Sequence, residues 1–279
     1  MIQDIGPHIL NNSFSARREA KDDDLAVIFN KGNMLLIVDA DKHIMKFPTV
    51  AEMKERANMI VYLFALDDKC FYLMELKDEK DIEPYAFYRL NEVRKWGLEP
   101  KETVFAAFTA YHLACWYRDN VFCGRCGFKL EIDKDERAML CPNCGNKIYP
   151  RINPAVIIGV KNGNRLLITR YRTGFANNAL VAGFTEIGET YEETVAREVM
   201  EEVGLKVKKI RYYGSQPWGL AADILAGFYC EVDGDDKITM DENELKYAEW
   251  VERDDIVLQP QPYSLTNEMM KRFKDGEEV

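Results

Sequence analysis

GFTEIGETYEETVAREVMEEVGL, running from Gly183 to Leu205, is the stretch on which the reading of this chain turns. Thr190 and Glu193 have the S/T-x-x-E spacing of a capping box, which predicts that a helix starts there. Gly204 stands where a left-handed residue would stop it. Within that helix Glu198, Glu201 and Glu202 fall at i, i+3 and i+4, which gathers them on one face. Val195, Val199 and Val203 form a neighbouring stripe, so the helix is expected to pack through its valines and keep its acidic side wet. Carboxylates placed this way suit Mg²⁺ or Mn²⁺, hard cations commonly shared between one or two protein carboxylates and substrate phosphates. Such a cation neutralises phosphate charge, orients the attacking water and lowers its pKa. Three glutamates alone would read more simply as a solvated face; the spacing of the whole stretch argues for chemistry.

That spacing satisfies G-x5-E-x7-R-E-U-x-E-E-x-G-U, with U aliphatic, at every specified position: Gly183, Glu189, Arg197, Glu198, Val199, Glu201, Glu202, Gly204 and Leu205. The chain therefore resembles the Nudix hydrolases. The resemblance implies cleavage of a nucleoside diphosphate linked to another moiety, on an α/β (α+β) fold with a mixed sheet between helices. Gly183 is expected to permit a tight loop, and Arg197 to orient acidic side chains such as Glu189 or Glu193.

At 279 residues the chain is too long for one such module. With 47% hydrophobic and 30% charged residues it reads as an ordinary soluble globular protein. A net charge of −10 disfavours general affinity for nucleic acid or anionic membrane. No apolar run approaches the roughly 20 residues of a membrane span, and the N-terminus lacks the pattern of a signal peptide. Seven cysteines are present. Cys70, Cys115 and Cys230 lie in apolar context and are expected to be buried reduced thiols, which points to the cytoplasm.

Strand-like runs at 25–29 and 34–38 flank Asn30-Lys31-Gly32-Asn33, and runs at 59–66 and 70–76 flank a second turn, so two hairpins are expected. Helical spacing covers 103–117. Strands are expected at 155–160, 165–170, 206–214, 224–232 and 247–251, with a terminal helix over 264–273. A weak likeness between the N-terminal hairpins and the later strands hints at an old duplication. Between the halves, Cys123, Cys126, Cys141 and Cys144 form C-x2-C-x14-C-x2-C. Four thiolates at that spacing suit one closed, structural Zn²⁺ per chain, and a disulfide reading is poor in a cytosolic chain.

An N-terminal domain (1–119), a four-cysteine ribbon (120–150), the exit Tyr149-Pro150-Arg151 into a Nudix domain (151–279) and Ser215-Gln216-Pro217-Trp218 after the box occur in one order. That layout is similar to the NADH pyrophosphatase (NAD⁺ diphosphatase) family. The resemblance implies hydrolysis of NAD(H) to AMP and nicotinamide mononucleotide, removal of an NAD cap from RNA by some members, and a homodimer. It implies zinc ligands at the four cysteines. Catalytic metal ligands fall on the Ala182 carbonyl, Glu198, Glu202 and Glu244, with Glu201 completing the carboxylates. Substrate contacts fall on Arg94, Glu136, Tyr149, Phe184, Gln216, Pro217, Trp218 and Asp223, and the family's small residue near the C-terminus on Thr266.

One departure stands out. The family marker S-Q-P-W-P-F-P-x-S keeps only its first four residues here, and 219–223 reads Gly-Leu-Ala-Ala-Asp, a flexible segment in place of a proline-braced one. Asp223 adds a negative charge where a hydroxyl is expected. Weaker discrimination among dinucleotides follows, with Gly219→Pro, Leu220→Phe and Ala221→Pro expected to restore it. Other substrates stay open: ADP-ribose, nucleotide sugars, dinucleoside polyphosphates. A non-catalytic nucleotide sensor is the reading outside the class. No G-x-G-x-x-G occurs, so NAD would be a substrate rather than a redox cofactor in a Rossmann domain.

Overall fold

Alternating and continuous apolar runs build two mixed sheets in the computed structural model, which describes residues 1–78, 82–173 and 177–278. The chain divides into two units: residues 2–151 with 219–222, and Met1 with 152–218 and the chain from Asp223 on.

The first unit holds β1 (Leu10–Asn11), β2 (Leu25–Asn30), β3 (Asn33–Asp39), β4 (Ile44–Lys46), β5 (Ala57–Leu66), β6 (Lys69–Leu76) and β7 (Ala86–Tyr88). Their order is β1-β5-β6-β2-β3-β4, with β7 on β3. The β2–β3 hairpin turns where Lys31 and Gly32 both take positive φ (48° and 82°), the conformation favoured by two-residue loops. Short helices α1 (Val50–Met53) and α2 (Leu90–Val93) escaped the periodicity reading, being about one turn each. The expected helix is α3 (Lys101–Asp119), two residues longer at each end. A small sheet β10-β9-β8 follows, from β8 (Glu131–Ile132), β9 (Met139–Leu140) and β10 (Lys147–Ile148). Cys70 is buried as expected, whereas Cys115 is only half-buried.

The second unit carries β11 (Asn153–Asn162), β12 (Arg165–Tyr171), β13 (Val181–Phe184), α4 (Tyr191–Val203), β14 (Val207–Trp218), β15 (Asp223–Val232), β16 (Leu245–Glu252) and α5 (Leu265–Asp275). The order is β14-β15-β11-β12-β16, with β13 on β11 and the β11–β15 pair parallel. Strand alternation sorts the core onto two faces. Val156, Ile158 and Val160 pack with Val195, Val199 and Val203 of α4. Ile157, Leu166 and Ile168 pack with Met269, Met270 and Phe273 of α5. Helix, sheet, helix is the resulting layering. Ser215–Trp218, expected just past a strand, is the end of β14 itself, paired with Asp223–Ala226.

Both sheets use the same pairing scheme. Hairpin β2–β3 is followed by hairpin β5–β6, with β6 parallel to β2. Hairpin β11–β12 is followed by β14–β15, with β15 parallel to β11. In the first sheet the helix between the hairpins is the four-residue α1; in the second it is α4, long enough to carry the carboxylate stripe.

Candidate active site and metal centre

Local chemistry fixes both ends of α4. Thr190 Oγ1 accepts the Glu193 backbone N–H (3.2 Å), Glu193 Oε2 accepts the Thr190 N–H (2.8 Å), and Gly204 closes the helix at φ 69°. Against expectation, the acidic side of this helix is not wet. Glu202 is 2% exposed, the Glu198 side chain 12%, and only Glu201, at 60%, faces solvent. The valine stripe draws the helix so close to the sheet that its flanking carboxylates are covered too.

Burial pushes Glu202 up to about 8, with the charges of Glu198 and Glu244 adding to the effect and the Tyr171 hydroxyl opposing it. Glu198 is raised as well, first by burial. Glu244 itself is exposed, on a segment tied back to the helix by the Asp241 N–H on the Glu202 carbonyl (2.8 Å). Two covered carboxylates that resist ionisation, with a third whose charge both of them feel, would be relieved by a divalent cation; among the described residues, only the ribbon cysteines bring three or more ligand atoms within 4.8 Å of one another.

Tyr171 was missed by the sequence reading. Its hydroxyl lies 3.0 Å from Glu202 Oε1, accepts the Ala182 N–H (3.1 Å) and lies 3.3 Å from the Ala182 carbonyl. It therefore fixes two expected ligands together. A tyrosine at the end of a strand carries no signal of its own; only the β12–β16 pairing, with Tyr171 opposite Leu245, brings it here.

Arg197 grips Glu189 in a fork (2.6 and 2.9 Å) and reaches Glu198 (2.8 Å), Glu201 (3.0 Å) and the Phe184 carbonyl (2.9 Å). Its bond holds the Glu189 carboxyl at about 2. Of the two partners expected for Arg197, Glu189 is the one engaged; Glu193 is committed to the cap. Gly183 is needed for space, not for a tight turn: it is absent from the positive-φ glycines, and a Cβ there would lie 2.0 Å from the Glu198 carboxylate. Gly183→Ala is accordingly predicted to keep the melting temperature near native while lowering kcat roughly a hundredfold, because Glu198 must swing aside by about an ångström or more. Native turnover in that variant would refute the placement of Glu198.

The ribbon cysteines converge. All four sulfurs lie within 4.8 Å of one another, with Cys123–Cys144 at 3.7 Å and Cys126–Cys141 at 3.5 Å. A zinc tetrahedron with bonds of about 2.3 Å has edges near 3.8 Å, and a disulfide needs about 2.05 Å. Zinc fits. Gly127 and Gly145, at φ 73° and 70°, turn each knuckle so that their N–H groups reach the Cys123 and Cys141 carbonyls (2.8 and 2.9 Å).

The remaining expected contacts fall in different settings. Arg94 is half-buried in the first unit, its pKa lowered by burial. Glu136 bonds Lys147 (2.7 Å) and Tyr149 (2.9 Å), and Tyr149 is 53% exposed. In the second unit Phe184 and Pro217 are exposed, while Trp218 and Thr266 are half-buried. Gln216 is fully buried: its amide donates to the Tyr263 carbonyl and accepts the Leu265 N–H, both at 2.7 Å, which caps α5. That assigns Gln216 to holding the helix start. Asp223 is 7% exposed, pushed up to about 6 by burial, and its Oδ1 finds no hydrogen-bond partner among the described residues. The charge expected near the substrate is thus a covered one. Gly219 is not a flexible hinge either: a Cβ there would meet the Phe108 carbonyl oxygen at 2.0 Å, so the proline of the family segment has no room.

Residues 151–273 match the model of the NUDIX domain, and residues 118–149 that of the NADH pyrophosphatase zinc ribbon domain. The NAD-capped RNA hydrolase NudC of Shigella flexneri is 41% identical over 162 residues, 57% of this chain and 62% of that protein. The protein of the same name from Escherichia coli (strain K12 / DH10B) matches to the same extent. The chain thus aligns with less than two thirds of these relatives' length. A NUDIX hydrolase from Nitrosomonas europaea superposes with a TM-score of 0.49 at 22% identity, over 55% of this chain and 90% of that one.

Proposed function

We propose that the chain is a Nudix hydrolase with a zinc ribbon of the NADH pyrophosphatase type ahead of its Nudix domain, as the residues matched to those two models support, and that it hydrolyses the diphosphate of NAD(H) to AMP and nicotinamide mononucleotide. The observation carrying this is the covered Glu198–Glu202 pair, locked to Ala182 by Tyr171 and to the loop by Arg197. Glu198, Glu202, Glu244 and the Ala182 carbonyl would hold Mg²⁺ or Mn²⁺, with Glu201 at the solvent side. When bound, the cation supplies charge neutralisation at the diphosphate and a lowered pKa for the attacking water. Arg197 keeps Glu198 and Glu201 aimed by holding both, and its fork on Glu189 makes that aim independent of solvent. Tyr171 holds Glu202 in place, so the carboxylate does not need to reorganise as charge develops.

NAD-capped RNA is a second substrate under this reading, supported by the name of the 41% identical relatives. Large apolar side chains left exposed, among them Phe122, Phe128, Ile152 and Ile187, support a homodimer. The buried thiols of Cys70 and Cys230 and the thiolate zinc knuckles support a reducing compartment such as the cytoplasm. Three modules (1–119, 120–150 and 151–279) complete the reading.

A panel of NADH, ADP-ribose, a dinucleoside polyphosphate and a nucleotide sugar, each with Mg²⁺ and Mn²⁺ and with products identified, tests it. NADH should give AMP and reduced nicotinamide mononucleotide with the highest kcat/KM. Efficient cleavage of ADP-ribose or a nucleotide sugar with none of NADH would defeat the NADH reading and leave the Nudix one standing.

A further inference from the structure

Lys147 connects the zinc knuckle to two side chains displayed by the ribbon. Its ammonium bonds Glu136 at 2.7 Å and Asp133 at 2.9 Å, and the Tyr149 hydroxyl donates to the same Glu136 oxygen at 2.9 Å. Asp133 is 6% exposed and also accepts the backbone N–H groups of Asp135 (2.8 Å) and Glu136 (3.0 Å). One buried carboxylate thus anchors both the ammonium and the loop that carries Glu136. Lys147 opens β10 three residues after Cys144 and pairs with Leu140, the residue before Cys141. Its backbone is therefore fixed from both ends of the Cys141–Cys144 knuckle.

Removing this ammonium would leave Asp133 and Glu136 as neighbouring anions, which repel. Glu136 would then leave Tyr149. With the ammonium in place, an ionised acceptor stands beside an aromatic ring that is 53% exposed. A flat base with an N–H donor is the ligand class this suits: the ring stacks and the carboxylate accepts.

We propose that Lys147 is a positioning residue for base recognition, holding Glu136 and Tyr149 as a preformed pair for one base of the dinucleotide. This rests on the dinucleotide reading above. It also gives the structural zinc a place in substrate affinity, because the Cys141–Cys144 knuckle fixes the backbone of Lys147.

Steady-state kinetics of the full-length, zinc-loaded protein on NADH with Mg²⁺ tests the proposal, with zinc content measured for each variant. Lys147→Met should raise KM about tenfold with kcat within about twofold of native, since a charge-assisted bond to a binding group is lost and none to the reacting atoms. Lys147→Arg should return KM to within about threefold of native, because a guanidinium also bridges two carboxylates. Glu136→Gln should raise KM alone, and adding it to Lys147→Met should raise KM no further. A fall in kcat at unchanged KM, an unchanged KM, or effects of the two substitutions that multiply would each overturn the proposal. Asp133→Asn is the milder second variant should Lys147→Met shed zinc. With zinc retained it should raise KM about threefold, and an unchanged KM overturns the proposal. Native protein that cleaves ADP-ribose but ignores NADH defeats only the NADH reading; the same variants are then judged on ADP-ribose, whose adenine is the remaining base.

Discussion

Glu202→Gln is expected to lower kcat by roughly a thousandfold or more, about 4 kcal/mol of transition-state stabilisation, while the protein stays folded. Glutamine preserves the shape of the side chain and can still accept the Tyr171 hydroxyl bond, so the packing of α4 against the sheet has no reason to change. What disappears is the negative charge, at a place where burial already makes a lone carboxylate unfavourable. A second measurement separates this from a structural lesion. Folding raises Glu202 from about 4.5 to about 8, so without divalent metal the folded state keeps a proton that the unfolded chain releases across that window. The stability due to Glu202 is fully present below about pH 4.5 and is lost as pH rises toward 8. The variant has no such proton. Its melting temperature relative to native, without added Mg²⁺ or Mn²⁺, should therefore be higher at pH 8 than at pH 5. Near-native turnover, or a melting difference that does not grow with pH, would remove Glu202 from the metal site.

The sequence carried α4 nearly whole, because its information is local: a capping box, a glycine stop and a valine stripe are all settled within fifteen residues. The long strands were legible for the same reason, and β13 was not, because four residues containing a glycine show no alternation. The site was legible only as far as its signature reached. Arg197, Glu189 and Glu198 could be named, yet the depth of Glu202 depends on how closely α4 approaches the sheet, which no spacing encodes. Tyr171 and the space beneath Gly183 depend on strand pairing across more than ten residues. Gln216 carries a role its motif did not show: the fold uses its amide to start α5. Gly219 reads as flexibility in the sequence, whereas the fold sets the Phe108 carbonyl against it.

Cys141→Ser should cost the protein its zinc and with it the ribbon. Cys141 is 1% exposed, its N–H donates to the Asn146 carbonyl, and its sulfur sits 3.5 Å from that of Cys126. A serine oxygen is a much poorer zinc ligand than a thiolate. Little else could hold this region: its three strands are two residues each, and its buried apolar side chains are Leu130, Ala138 and Met139. Strands that short are not stable alone, whereas structural zinc contributes on the order of 10 kcal/mol or more to folding. Metal analysis should fall from one zinc per chain to none, with a lower melting temperature or aggregation. The effect on catalysis should differ in kind from that of Glu202→Gln. The carboxylates belong to the second unit and bond among themselves through Arg197 and Tyr171, whereas Glu136 and Tyr149 depend on the ribbon. Any protein that stays soluble should therefore show its loss chiefly in KM. Zinc-free protein with native stability and full activity would refute the structural role of the metal, and zinc-free protein impaired in kcat alone would refute the link between the ribbon and substrate affinity.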